Sequence, residues 1–81
     1  MKVVVLYFAV LRDLVGLDRE ELSLEGPVSV QVLGGLLEAR HPELAGRLAV
    51  VRFAIDETFV RADASVHDGA VVALIPPVAG G

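Results

Sequence analysis

The chain has 81 residues, 54% of them hydrophobic, with seven Lys or Arg against eleven Asp or Glu and a net charge of −4. This length fits one domain with a small core, and the hydrophobic content excludes a disordered chain. The acidic balance argues against nucleic acid or an anionic membrane surface as partner, while allowing a basic groove. The absence of cysteine excludes disulfides, zinc–thiolate sites and a cysteine nucleophile.

The first apolar run, Val3 to Ala9, is rich in β-branched and aromatic residues on both faces, the pattern of a central strand. A signal peptide is an alternative for such a start. However, Arg12-Asp13 follows at once with no small-residue cleavage site, and the run is far short of the ~20 residues that span a bilayer. The reading is therefore a strand in a soluble protein; the absence of cysteine leaves the compartment undetermined, and a cytoplasmic chain fits. Val10 to Val15 predicts a short helical turn that Gly16 ends, and Glu21 to Leu24 alternates as a half-buried strand. Gly26-Pro27 marks a turn. Ser29 is a candidate N-cap for the main helix, Val30 to Arg40, in which Val30, Leu33 and Leu37 fall at helical spacing, with Leu36 and Arg40 following. Gly34-Gly35 inside it costs up to ~1 kcal/mol per residue against alanine, so close packing on a sheet is expected there. His41-Pro42 stops the helix, and Pro42 to Arg47 predicts a second short turn.

Val50 to Ile55 alternates, with Val51, Phe53 and Ile55 on one side, and Asp56-Glu57 turns it into Thr58-Phe59-Val60. Asp63-Ala64-Ser65 reads as a loop, and His67-Asp68-Gly69 as a turn before the last strand, Val71 to Ile75. The first and last strands are the most apolar, so they are expected to lie adjacent, parallel and central, with the helix across one face. One helix covers one face only, which leaves an apolar patch on the other, a common mark of a partner surface.

Conventional chemistry is missing. His41 and His67 lack metal-ligand spacing, so capping or surface roles are expected. Glu20-Glu21 and Asp56-Glu57 read as solvated edge or turn residues. Gly34-Gly35 lies mid-helix and is no phosphate loop. Arg12 is either a surface charge or a partner contact. What remains is the terminal stretch Pro76-Pro77-Val78-Ala79-Gly80-Gly81. Prolines leave a sheet and stiffen an extended backbone, and glycines fit a channel that excludes side chains. From Pro77 the stretch reaches roughly 16–18 Å at full extension. It is either a frayed end or an arm that carries a carboxylate into another protein's active site.

Tyr7-Phe8-Ala9 with Leu11-Arg12, the Val30–Leu33–Leu37 helix, Asp68-Gly69 and the closing Pro-Pro-Val-Ala-Gly-Gly together resemble the small subunits of molybdopterin synthase, over essentially the whole chain. The resemblance implies an α+β, ubiquitin-like β-grasp fold over residues 1–75, a mixed sheet with one main helix packed across one face, followed by a flexible reactive tail over 76–81. It implies a sulfur carrier that donates sulfur without a catalytic pocket of its own, and that binds neither metal nor cofactor. Gly81 would be adenylated by an adenylyltransferase like the ubiquitin-activating enzymes, using ATP and magnesium. A sulfur donor of the cysteine desulfurase or rhodanese type would then convert it to a thiocarboxylate. Pro77, Val78, Ala79 and Gly80 would enter a channel in the large synthase subunit and deliver sulfur to cyclic pyranopterin monophosphate, in what is typically a heterotetramer.

Phe8 and Arg12, carried over from the family pattern, and Ile75, at the root of the tail, are the expected contacts to that subunit; Phe8 and Ile75 read equally well as ordinary core. The chain departs from the pattern at Asp56, often Asn, at Ala70-Val71, often acidic, and at Ala79, commonly Ser or Thr. Carriers or modifiers of other pathways remain open: thiamine synthesis, tRNA thiolation, lysine conjugation. So does a plain interaction domain. Thiamine carriers are usually shorter and lack the Phe-Ala-x-x-Arg opening.

Overall fold

Why the chain folds around two strands is visible in a computed structural model, which describes residues 1–77. The apolar run β1 (Lys2–Tyr7) pairs in parallel with β7 (Val71–Ile75), from Val4 opposite Val71 to Tyr7 opposite Leu74. Both lie inside a five-stranded mixed sheet of order β2-β1-β7-β4-β5. β2 (Arg19–Ser23) is antiparallel to β1, β4 (Arg52–Ile55) antiparallel to β7, and β5 (Thr58–Val60) closes the hairpin with β4. Strand neighbours far apart in sequence need crossovers, and the main helix, α2 (Val30–Arg40), supplies the mass of the long one.

α2 spans Val30–Arg40. The Ser29 side chain accepts a hydrogen bond from the Val32 amide at 3.1 Å, which fixes its start. Val30, Leu33 and Leu37 are fully buried against Val3, Val5, Tyr7, Leu22, Val72 and Leu74. Leu36, on the same spacing, faces outward, as does Val32. At His41 the chain turns into a 3-10 turn, Pro42–Leu44, whose Leu44 fills the core, and a second follows at Leu48–Val50.

The expectation of close packing at the glycine pair needs correction. A Cβ on Gly34 would sit 3.5 Å from Phe53 Cζ and 3.7 Å from Leu48 Cδ1, an ordinary contact, and a Cβ on Gly35 would meet nothing within 4 Å. Neither position excludes a methyl group.

Three further corrections follow from local geometry. β1 ends at Tyr7, because Ala9 takes a left-handed φ of 51° and opens α1 (Ala9–Val15). Gly16 closes that helix with φ 82°, its amide donating to the Arg12 carbonyl. The segment read as a loop at Ser65 forms β6 (Ser65–Val66), paired with β3 (Val28–Ser29) in a separate two-stranded sheet. The strand expected from Val50 begins at Arg52, since the preceding residues form the second 3-10 turn.

Glu20 is not a solvated edge residue. Its neighbour Glu21 faces outward, but Glu20 sits opposite Val5 on the helix side, its side chain 9% exposed. There it accepts from Tyr7 Oη at 2.5 Å and Arg40 Nε at 3.2 Å, and its Oε1 lies 2.7 Å from His41 Nε2. Burial alone would raise the Glu20 pKa, but the hydrogen bonds from Tyr7 and His41, with the charges of His41 and Arg40, outweigh it and hold the carboxyl below its ordinary value. The Tyr7 phenol is pushed up, first by burial and then by Glu20. This cluster ties β1, β2 and the C-terminal end of α2 together.

Candidate functional site

Side chains alternate across a strand, so β7 divides itself between two surfaces. Val72 and Leu74 are fully buried under α2; Val71, Ala73 and Ile75 face away and are only half-buried. The same parity puts Leu6 of β1, Ala54 of β4 and Phe59 of β5 on that open face. With Phe8, Asp56 and Glu57 they line a groove of about 420 Å³. Phe8 is 45% and Phe59 51% exposed, large for aromatic residues.

The hairpin at one end of the groove is fixed by Asp56. Both Asp56 and Glu57 are left-handed, at φ 49° and 72°, as a tight two-residue hairpin requires. Asp56 accepts from the Val71 amide at 3.0 Å, and its other oxygen lies 2.8 Å from His67 Nε2. Those bonds hold the Asp56 carboxyl low. His67 is held high by the Asp68 carbonyl and then by Asp56. At the other end, Arg52 stands opposite Ile75 in the register and stacks over Phe59, 4.0 Å from the ring centroid.

The root of the tail emerges beside this face. Ile75 ends β7, Pro76 is half-buried and Pro77 exposed. On the other side of the root, Pro76 and Pro77 border a second hollow of about 480 Å³, with Val10, Leu11, Arg47 and Val50 among its walls. Val50 is 65% exposed and Val10 43%.

Of the residues singled out from the sequence, the structure brings Phe8 and Ile75 into one groove. Arg12 is exposed on α1 and borders neither hollow, although its amide lies 3.5 Å from the Phe8 carbonyl. Val78, Ala79, Gly80 and Gly81 lie outside the described residues. Sequence reasoning missed Leu6, Ala54, Phe59 and Ala73 as members of the open face, and Arg52 as its stacked cation. The signal was available as strand parity: each lies one residue from a position on the opposite, helix-covered side. Among the described residues no group of three His, Asp or Glu side chains is placed to hold a metal, and no helix is long and apolar enough to cross a membrane.

A central parallel strand pair, a helix across one face and an open face on the other define a ubiquitin-like β-grasp domain. A model of the ThiS family matches residues 5–81, and the chain belongs to that family. It is 37% identical over 82 residues to the molybdopterin synthase sulfur carrier subunit of Escherichia coli K12, covering 95% of this chain and 96% of that protein. It is 32% identical to the same subunit of Chlamydomonas reinhardtii, over the full length of both. Among solved structures, the molybdopterin converting factor subunit 1 of Pyrococcus furiosus superposes with a TM-score of 0.87 at 34% identity, covering 96% of this chain and 99% of that one. Two more distant structures share the fold. SAMP1 of Haloferax volcanii gives 0.89 at 21% identity over the whole of both chains. A chain in the complex of subunits 1 and 2 of the Helicobacter pylori molybdopterin-converting factor gives 0.72 at 23%, again over the whole of both.

Proposed function

We propose that this chain is the sulfur-carrier subunit of a molybdopterin synthase and acts in the cytoplasm in molybdenum cofactor biosynthesis. The observation that carries the reading is its likeness, over the whole chain, to curated sulfur carrier subunits of that enzyme. The chemistry fits the residues. A free carboxylate is a poor acyl donor, so the Gly81 carboxylate first attacks the α-phosphate of ATP on a separate adenylyltransferase, with magnesium, releasing pyrophosphate. A persulfide on a cysteine desulfurase or rhodanese-type donor then attacks the acyl carbon, and AMP leaves. A thiol then attacks the donor's sulfur in the resulting acyl disulfide; the S–S bond breaks, the donor keeps a new disulfide, and the outer sulfur stays on the chain as a thiocarboxylate. With no cysteine to hold a persulfide, the chain has its terminus as the place for that sulfur.

Delivery then rests on Pro77, Val78, Ala79 and Gly80 threading a channel in the large subunit, while the open face around Phe8 and Ile75, with Arg12 beside it, docks outside. Gly80 is required because a side chain there would meet the channel wall. The partner reading is supported by the complex of the two subunits in Helicobacter pylori, whose small chain has this fold.

Two experiments test the proposal together. Purification of the tagged chain from its own cells should bring down a molybdopterin synthase large subunit. A chain lacking Gly81 moves the reactive carbon back by ~3.5 Å, against an approach distance of about 3–3.5 Å, so it should fold and bind that subunit but transfer no sulfur. Full pathway activity without Gly81 would reject the carrier reading. Recovery of the chain in isopeptide linkage to lysines, with no large subunit, would make it a protein modifier instead.

A further inference from the structure

The proposed docking leaves open what orients the partner on the open face, since an apolar groove alone accepts several rotations. Charge along β7 supplies a direction. At its start, near Val71, stand the carboxylates of Glu57, which makes no ion pair among the described residues, and of Asp56, partly offset by His67. At its end, where the tail leaves, Arg52 lies opposite Ile75 on the open side and Arg47 borders the hollow beneath Pro76 and Pro77 on the other. The two ends are about 13 Å apart along the strand, longer than a Debye length at physiological salt, about 8 Å, so each end presents its own sign.

The arginines are spare in a chain that is acidic overall. Of its seven basic residues, Arg40 is paired with Glu20 and Arg61 with Asp63. Among the described residues, Arg47 and Arg52 make no ion pair, nor do Lys2, Arg12 and Arg19, but of these five only Arg47 and Arg52 stand beside Pro76 or opposite Ile75. Arg52 is also preset. Its guanidinium carbon rests 4.0 Å from the Phe59 ring centroid, and a fork held against a ring loses less freedom when it meets a carboxylate.

We infer that Arg47 and Arg52, on the two sides of the tail's root, form a basic collar that fits an acidic rim around the channel mouth of the large subunit. The inference rests on the sulfur-carrier reading and adds to it the chemistry of the surface that receives the tail. With Asp56 and Glu57 at the far end, the collar lets a partner of matching polarity dock in the one rotation that points the tail into the channel. Charges of this kind act chiefly on association rate and orientation.

The test is binding kinetics of the full chain to the purified cognate large subunit at low and high salt. The double variant Arg47→Glu/Arg52→Glu should lower the association rate about 10- to 100-fold at low salt and much less at high salt. Arg47→Gln/Arg52→Gln should fall between, and Val32→Glu, exposed on α2 on the opposite side of the sheet, should stay within about twofold of wild type. Unchanged thermal midpoints would confirm that the exposed substitutions act on binding. Wild-type binding with a double reversal no worse than Val32→Glu overturns the inference and leaves the carrier reading standing. If the effect of the reversal disappears in a chain cut after Pro77, the arginines serve the chain's own terminal carboxylate, which also overturns it. Failure of the wild type to bind the large subunit removes the carrier reading, and the collar with it.

Discussion

The two faces of the sheet are made from the same strands and nearly the same residue types, yet one is core and the other is surface. On the helix side Val3, Val5, Tyr7, Val72 and Leu74 are at most 2% exposed; one residue along, Val4, Leu6, Val71, Ala73 and Ile75 are only half-buried. Apolarity therefore does not tell a core residue from a docking residue in this chain. Strand parity, together with the fact that α2 covers one side, does.

The largest expected effects test that division directly. Leu33→Asp and Leu74→Asp place an unpaired charge in a dry site and should leave no stable fold. The milder Leu74→Ala should cost about 2–5 kcal/mol in urea unfolding. Ile75→Asp, one residue further along the same strand, should cost under about 1 kcal/mol of stability yet weaken binding to the large subunit about 30-fold or more. If Ile75→Asp unfolds the domain as thoroughly as Leu33→Asp, the residue belongs to the core and the two faces are not distinct in the way described.

A second effect sharpens the contrast on the helix side, where the part-buried polar cluster around Glu20 sits. Glu20→Gln should cost about 1–3 kcal/mol at neutral pH, since Tyr7, Arg40 and His41 lose a charged acceptor. The Glu20 carboxyl is held below its ordinary value of 4.5 in the folded chain. Its contribution is therefore complete above that value and is lost as pH falls through the lower, folded one. Wild type and variant should converge in stability at acid pH. A gap that stays constant down to pH values well below 4.5 would show that the charge is not what matters.

Much of the fold could be read from the sequence, for local reasons. α2 could be bounded to the residue because Ser29 caps it and His41-Pro42 cannot continue it. The central strand pair stood out because its apolar runs are dense on both faces. The two-residue strands β3 and β6 were not legible, because a pair of residues carries no period. Glu20 was misread for a related reason: adjacency shows that Glu20 and Glu21 point apart, but not which of them faces the helix. At the site, Phe8 and Ile75 were found and Phe59 was not, since its membership depends on the β4–β5 register that places it opposite Ala54. The glycine pair in α2 was legible as unusual, but the packing reason assigned to it does not hold at Gly35.

That last point yields a smaller effect. Gly35→Ala should raise stability by up to about 1 kcal/mol, because the methyl group meets open space and the unfolded chain loses freedom. Gly34→Ala should gain less, since its methyl group must settle against Phe53. Destabilisation by Gly35→Ala would show a constraint on that helix face that its open surroundings do not reveal. The smallest effect is at the hairpin that limits the open face. His67 is held above its ordinary 6.5, so its pairing with Asp56 supports the turn fully below that pH and fades as pH rises through the folded value. His67→Gln should remove a shallow decline in thermal midpoint across that window.

The central claim, that the chain carries sulfur on Gly81, is tested most directly by intact mass. The chain is incubated with its adenylyltransferase, ATP, magnesium and a sulfur donor, then weighed whole and after digestion. The account predicts a gain equal to one sulfur replacing one oxygen, confined to the peptide that ends in Gly80-Gly81, absent without ATP and absent from a chain lacking Gly81. An unchanged mass under conditions that convert a known sulfur carrier, or a gain located on any other peptide, would contradict it.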